Sequence, residues 1–318
     1  MPIYNCAEFL PYSIHSISIQ TFGNFEFLII DDGSTDDSQN LISKFRDNRI
    51  NYVIKEHSGL ADSLNYGLKI AKYDIIARMD ADDIAHPNRL KKQLSFYKAN
   101  PQIDIFSSWY TIFSGSTIQY IVKTPTDHLQ IIKGLSLYSY ISHPGCIYNR
   151  NVLLKAGGYS AQVYEDYELW LRLMNKVIFG IIPEVLIFQR YRKDSLSRGN
   201  VSVKNKIHYQ IQQKYFDSLN SYFTINNTEE ENSVRGWREY FYGGKKEARR
   251  YWRDKNLFLT NWKIFLAFFF TFLPDRMLVG IKELRLRYRL KYFINYFTKE
   301  NRVLRDNLKM QLNQRNDH

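Results

Sequence analysis

The sequence predicts an α/β fold: a doubly wound, mainly parallel sheet in its first two thirds, followed by a helical, basic C-terminal region. Three observations predict it. Short apolar runs alternate with stretches of helical periodicity through the first hundred residues. Two of those runs end in carboxylates, at Asp31-Asp32 and at 80–83. The charge also divides sharply: residues 1–200 hold 21 basic and 20 acidic side chains, whereas residues 201–318 hold 23 and 12.

The elements follow in order. Phe9, Leu10, Ile14 and Ile17 share one face of a first helix. It begins directly after MPIYN, which leaves no room for a preceding strand. A parallel sheet needs a crossover between strands, so a first strand is expected upstream of Pro2 and is missing from the given start. Residues 25–30 (FEFLII) read as a buried strand, and Ser34 with Asp37 resembles a capping box for a helix carrying Leu41, Ile42 and Phe45. Residues 50–54 form a second strand, and Leu60, Leu64, Leu68 and Ala71 recur at helical spacing. Residues 73–79 (YDIIARM) form a third strand, after which Pro87 opens a helix with Leu90, Leu94 and Tyr97 inward. Further strands are expected at 103–113 and around Ile147, and a short helix at 165–173 carrying Leu169, Trp170 and Leu173. Composition shifts near residue 200, where long Tyr-rich basic segments begin, broken by a polar loop at 226–232. The chain therefore divides into 1–200 and 201–318.

Composition excludes several classes. The whole chain carries a net charge of +12, but the neutrality of its first 200 residues argues against a nucleic-acid binder, whose basic surface would run through the globular part. Two cysteines, Cys6 and Cys146, make neither a disulfide framework nor a four-cysteine zinc site. No charged segment followed by an apolar one opens the sequence, so a reducing, cytoplasmic setting is expected. Neither Gly-x-Gly-x-x-Gly nor Gly-x-x-x-x-Gly-Lys-[Ser/Thr] follows a strand, which disfavours a nicotinamide dehydrogenase or a P-loop ATPase.

Asp80-Ala81-Asp82 carries the strongest chemical signal. In extended backbone, side chains two apart point the same way, so Asp80 and Asp82 would face one site while Asp83 points elsewhere. Paired carboxylates at a strand end repel unless a cation or donor lies between them, and hard oxygen ligands favour Mg2+ or Mn2+. The other reading is a solvated acidic turn ahead of Pro87. Asp32 closes a strand before a turn glycine, where its oxygens can meet an imide N–H; for Asp31 a side-chain turn feeding the next helix is the preferred reading.

Five segments stand in a telling order: 1–5 (MPIYN), 20–38 (QTFGNFEFLIIDDGSTDDS), 57–68 (HSGLADSLNYGL), 73–93 (YDIIARMDADDIAHPNRLKKQ) and 164–173 (YEDYELWLRL). Together they resemble family 2 glycosyltransferases of the GT-A fold, over residues 1 to about 198. The resemblance implies an inverting transferase that uses a nucleotide-diphosphate sugar and a divalent metal. It places Pro2 and Tyr4 at the nucleotide pocket, Asp32 on the base, Asp80 near the ribose, and Asp82 on the metal and diphosphate. It also brings Asn65 and Arg78 to the nucleotide, His143 to the acceptor cleft, and the general base to Asp166. An acid in a first helical turn stays ionised, which suits that role. For Glu165 an ordinary helix-end charge is the preferred reading. Other readings stay open: a surface amide for Asn65, a strand cation paired with a neighbouring acid for Arg78, and a structural histidine for His143.

Two departures from the family pattern matter. Where many relatives carry Tyr-Arg-x-His-x-x-Ser, this chain has Tyr191-Arg192-Lys193-Asp194-Ser195-Leu196-Ser197, so an aspartate replaces the histidine. Arg192 and Lys193 could still screen a diphosphate. No Gln-x-x-Arg-Trp occurs, which argues against a processive synthase.

In the tail, 264–273 (IFLAFFFTFL) is shorter than the about twenty apolar residues a bilayer span requires. Residues 276–291 carry six basic side chains against Glu283, with Met277, Ile281, Leu284 and Tyr288 on one face. That profile fits a helix lying on an anionic membrane surface; the alternative is a helical hairpin with solvated charges. The combined expectation is a non-processive enzyme, peripheral on the inner face of the cell membrane. It would move one sugar, with a UDP-sugar as the expected donor, to a lipid-linked or surface polysaccharide acceptor. A sugar-phosphate nucleotidyltransferase, or a degenerate membrane-bound scaffold, are the alternatives.

Overall fold

The computed structural model describes residues 1–160, 163–192, 201–222, 228–242, 244–253, 262–272 and 299–313. Lys193 to Ser197, the basic stretch 276–291 and the residues Asn226 and Asn227 lie outside them.

The N-terminal elements form a three-stranded parallel sheet in the order β1 (Pro2–Ile3), β2 (Phe27–Asp31), β3 (Ile50–Ile54). The segment before α1, read from sequence as too short for a strand, carries one: Pro2-Ile3 pairs in parallel with Ile30-Asp31. The loop that follows is held independently. Asn5 adopts a left-handed φ of 46°, which an asparagine tolerates, and its Oδ1 accepts from the Thr35 N–H at 2.8 Å. Its own N–H donates to Ser34 Oγ at 3.0 Å, and Ala7 N–H donates to Asp36 Oδ2 at 2.8 Å. Ser34 is therefore a loop clamp and not a cap; α2 (Ser38–Ser43) begins four residues later. Helix α1 (Leu10–Ser18) buries Leu10, Ile14 and Ile17 against β1 and β2, and α3 (Leu60–Ile70) buries Leu64 and Leu68.

The second sheet is mixed. Its order is β4 (Ile75–Ala77), β8 (Ile147–Asn149), β6 (Ile105–Ser114), β9 (Phe179–Arg190), β5 (Ile84–Ala85), with β7 (Thr117–Val122) on β6. Only β6 and β9 run parallel there. Helices α4 (Arg89–Ala99), α5 (His128–Leu135), α6 (Arg150–Lys155) and α7 (Glu165–Leu173) cover it, and a single 3-10 turn spans His143–Gly145. Helix α4 starts two residues beyond Pro87, and its fully buried side chains are Arg89 and Gln93, while Leu90, Leu94 and Tyr97 are half-buried. Apolar spacing alone hides this, because a buried guanidinium and amide are legible only through their partners.

The C-terminal helices are α8 (Val201–Lys214), α9 (Phe216–Asn220), α10 (Thr228–Tyr242), α11 (Lys245–Tyr251), α12 (Trp262–Phe270) and α13 (Lys299–Asn313). Thr228 to Asn232, read from sequence as loop, are the first turn of α10. Residue 200 marks a change of composition but not of core. Ile211 of α8 and Leu219 of α9 join the cluster that holds Leu169 and Trp170 of α7, and Leu304 and Leu308 of α13 pack with Ile84, Phe113 and Phe188. Helix α12 rests Ile264 and Ala267 against Tyr240 and Trp252, and turns Leu266 and Phe269, with Phe272 just beyond its end, to solvent. Among the described residues no helix is long and apolar enough to cross a membrane.

Candidate active site

Loop ends of both sheets build the site. At the end of β2, Asp31 is structural: its Oδ1 accepts from the Ser34 N–H at 2.7 Å and its Oδ2 from the Tyr52 hydroxyl at 2.5 Å. Asp32 is buried too, but it serves the loop after β3. Lys55 Nζ (2.5 Å) and the Ser58 N–H (3.0 Å) reach Oδ1, and the Gly59 N–H reaches Oδ2 at 2.8 Å. Burial raises the pKa of Asp32, but these donors outweigh it and the net shift is downward. Gly33 makes the approach possible: its φ is 75°, and a β-carbon there would lie 3.1 Å from the His57 nitrogen. Tyr4, half-exposed beside Pro2, stacks on the His57 ring with centroids 4.2 Å apart.

The acidic cluster is tighter than the sequence suggests. Residues 80–83 form a turn rather than extended backbone, so the alternation rule does not apply and Asp83 joins the others. Carboxylate oxygens of Asp80, Asp82 and Asp83 lie within 4.8 Å of one another. Burial, then the Asp80 charge, raises Asp82 above the usual carboxylate range; burial and the Asp82 charge push Asp83 well above it. An all-carboxylate donor set whose charges repel in a partly desolvated turn fits a hard divalent cation, and Asp80 and Asp82 are the ligands left most open to one. Asp83 is tied to β9, where its Oδ1 accepts the Arg190 N–H at 3.0 Å.

Cations surround the cluster. Arg78 is buried, lies 2.5 Å from Asp80 Oδ1, and among the described residues its Nε and Nη1 have no hydrogen-bond partner. Burial opposes its charge, but Asp80 holds its pKa up. Its backbone carbonyl accepts from Arg89 Nη2 at 2.5 Å, and Arg89 Nε donates to Gln93 Oε1 at 3.0 Å. Gln93 in turn donates to the Gly145 carbonyl at 2.8 Å, which ties α4 to the 3-10 turn of His143. The sequence offers Arg192 as a screen for a diphosphate but gives no role to Arg190. Arg190 Nε donates to the Asp82 carbonyl at 2.9 Å, and Arg192 Nη1 lies 3.6 Å from Asp82 Oδ2. The alternation Arg190-Tyr191-Arg192 at a strand end is the signal that could have added Arg190 to that screen.

The third wall is the start of α7. Tyr164 takes a left-handed φ of 67° immediately before Glu165 and Asp166, the kind of local strain that clusters at functional turns. Burial raises Asp166, and the charge of Asp80 adds to it, although the Tyr167 N–H bonds its Oδ1 at 2.8 Å. Desolvation thus outweighs the helix end and the Tyr167 N–H in setting the direction of the Asp166 shift. Glu165 is lifted to about 7, by burial first and the Asp166 charge second. His143 is buried and pushed well below its usual value by burial and by Arg78; its Nδ1 lies 3.7 Å from Glu165 and its Nε2 3.1 Å from the Tyr159 hydroxyl. Asn65 braces this wall: its amide exchanges two 2.8 Å bonds with the Tyr159 backbone.

Comparisons with known proteins show the family and the fold. The family model described as glycosyl transferase family 2 matches residues 1–156. The O-antigen biosynthesis glycosyltransferase WbnJ of Escherichia coli is 29% identical over 222 residues, covering 67% of this chain and 86% of the relative. A UDP-Gal:alpha-D-GlcNAc-diphosphoundecaprenol beta-1,3-galactosyltransferase of Escherichia coli is 31% identical over 196 residues, covering 60% and 71%. Among solved structures, S. aureus TarS 1-349 in complex with UDP-GlcNAc superposes with a TM-score of 0.59 at 17% identity, covering 98% of this chain and 88% of that one. Mannosyltransferase PcManGT from Pyrobaculum calidifontis, in complex with GDP-Man and Mn2+, gives 0.54 at 14%, covering 98% and 83%. At those identities the likeness is one of fold, the GT-A nucleotide-sugar transferase fold. On the strength of its sequence relatives, this chain belongs to glycosyl transferase family 2 and is a glycosyltransferase.

Proposed function

We propose that the chain is an inverting, non-processive transferase that moves one sugar from a nucleotide-diphosphate sugar to a lipid-linked or surface polysaccharide acceptor. The observation that carries this reading is the convergence of two acidic walls on one buried cation. Asp80 pairs with Arg78, and Arg78 acts electrostatically on Glu165, Asp166 and His143. A carboxylate whose pKa has been raised is a stronger base than an ordinary one, and that is what abstraction of a hydroxyl proton needs. In the step, an acceptor hydroxyl attacks the anomeric carbon and its proton passes to Asp166. The bond from that carbon to the diphosphate breaks, and a nucleoside diphosphate leaves.

Asp80 and Asp82 would hold a divalent metal, Mn2+ or Mg2+, which when bound neutralises diphosphate charge. Arg192 adds a further cation to that side of the site, and Pro2, Tyr4 and Asp32 form the slot for the base. Relatives named for UDP-Gal transfer and O-antigen synthesis support a UDP-sugar donor and a lipid-linked glycan acceptor. The exposed apolar face of α12 and the basic tail support a peripheral position on the cytoplasmic face of the membrane. Incubation with UDP-sugars, Mn2+ and undecaprenyl-diphosphate-linked acceptors tests the reading: release of UDP with inversion at the anomeric carbon is expected. Release of pyrophosphate, or retention of configuration, would overturn it.

A further inference from the structure

The base slot of the proposed donor site already contains a ring. His57 stacks on Tyr4 with centroids 4.2 Å apart and planes 25° apart, and its Nδ1 lies 2.8 Å from Asp32 Oδ2 and 3.0 Å from the Asp32 carbonyl oxygen. A flat heterocycle resting on Tyr4 and directing a ring nitrogen at Asp32 is what a nucleobase with a ring N–H would also supply. We infer that the His57 imidazole is an internal stand-in for the nucleobase, which must be displaced before the donor nucleotide can bind. The inference rests on the donor-site reading above and adds to it a competitor that sets affinity.

Of the nitrogen groups that meet the Asp32 carboxylate here, the imidazole is the one that can leave cheaply. Ser58 and Gly59 donate from the backbone, and the loop that carries them is bonded to β2 through the Lys55 N–H and the Asp31 carbonyl. Lys55 is held by the Glu56 carbonyl, Ser58 Oγ and Asp62 as well. The His57 side chain, by contrast, is 54% exposed and needs only a rotamer change to swing into solvent. When it leaves, Asp32 is left buried with a vacated acceptor position, which a ring N–H fills and a bare ring nitrogen repels. Uracil, thymine and guanine present such an N–H; cytosine does not. A protein whose competent state is only partly populated binds with its intrinsic affinity reduced by that fraction.

Isothermal titration of the full chain with uridine, and separately with UDP, tests this. His57→Ala is expected to tighten uridine binding by about three- to tenfold, the scale of one lost aromatic contact and its hydrogen bond. In the wild type, the His57 imidazole NMR signals, assigned by their loss in His57→Ala, are expected to move on adding uridine. Unchanged or weaker binding by His57→Ala would make His57 a bystander or a wall of the slot and overturn the inference while leaving the donor site standing. Tyr4→Ala and Asp32→Asn report on the site itself: if neither variant weakens uridine, the base binds elsewhere and both readings fall.

Discussion

Nη2 of Arg89 donates to the backbone carbonyl of Arg78 at 2.5 Å, so one buried guanidinium fixes the residue that carries another. Arg89 has no carboxylate within an ion pair among the described residues, and burial lowers its pKa to about 10. Its place is justified by geometry: it holds the end of β4 while Gln93 holds Gly145. Arg89→Ala leaves a carbonyl and an amide unsatisfied in the core, and a loss of about 3 kcal/mol in urea unfolding is expected. A loss below about 1 kcal/mol would show that the surroundings collapse onto the gap.

Asp82→Ala is expected to reduce turnover by at least about a hundredfold without loss of the fold. Mn2+ should raise the melting temperature of the wild type and leave that of the variant unmoved. Because Asp82 is raised by burial and by Asp80, removing its charge should not destabilise the metal-free protein. Equal metal shifts in both proteins would remove Asp82 from the metal site.

The pH dependence of transfer follows from the first turn of α7. Asp166 must be ionised to accept a proton, and its folded pKa is raised, so kcat should fall with acidification at a pH above the usual carboxylate range. Asp166→Asn should keep UDP binding and lose transfer; retained transfer would dismiss it as the base.

Stability should move the opposite way at Glu165. Its folded pKa, about 7, lies above the ordinary glutamate value of 4.5, so the folded state binds more protons between those values and stability declines as pH rises through them. The decline would be up to about 3 kcal/mol. Glu165→Gln should flatten that part of the curve, read from melting temperatures between pH 4 and 8. A variant with the same slope as the wild type would locate the effect elsewhere.

The C-terminal helices should prove inseparable from the catalytic half. His208 of α8 lies between the rings of Tyr167 and Tyr242, with centroids 4.3 Å away on each side, and Tyr215 donates to Glu168 at 2.6 Å. His208→Ala is expected to lower the melting temperature and kcat while leaving the UDP dissociation constant unchanged. Deletion of 201–318 should expose the core around Leu169 and Trp170 that Ile211 and Leu219 cover, and give an aggregating product; a monomeric, active 1–200 fragment would contradict the shared core. Membrane binding has its own test: Phe269→Asp, on the exposed face of α12, should reduce co-sedimentation with anionic vesicles.

What was legible in the sequence, and what was not, divides by the range of the interaction. Strand β3 and helix α7 fall where their local periodicity puts them, and the acidic turn at 80–83 was visible as chemistry. Strand β1 was missed because two residues carry no period; its evidence is the bonding of Asn5 to Ser34 and Thr35, about thirty residues away. Arg89, His57 and His208 escaped for the same reason. Each is an unremarkable polar residue in its own segment, and its role exists only through a partner in another.

The small strand at the start carries one more consequence. Pro2-Ile3 contributes little ladder of its own, so its permanence depends on the bonds that join Asn5 and the Ala7 N–H to the turn after β2. In amide-exchange terms, the protons of Asn5, Ala7 and Thr35 should open and close as one cooperative unit, despite lying in loops. The two edges of the base slot would then behave as a single jaw, and a change of one residue in the spacing of either loop should unhinge both.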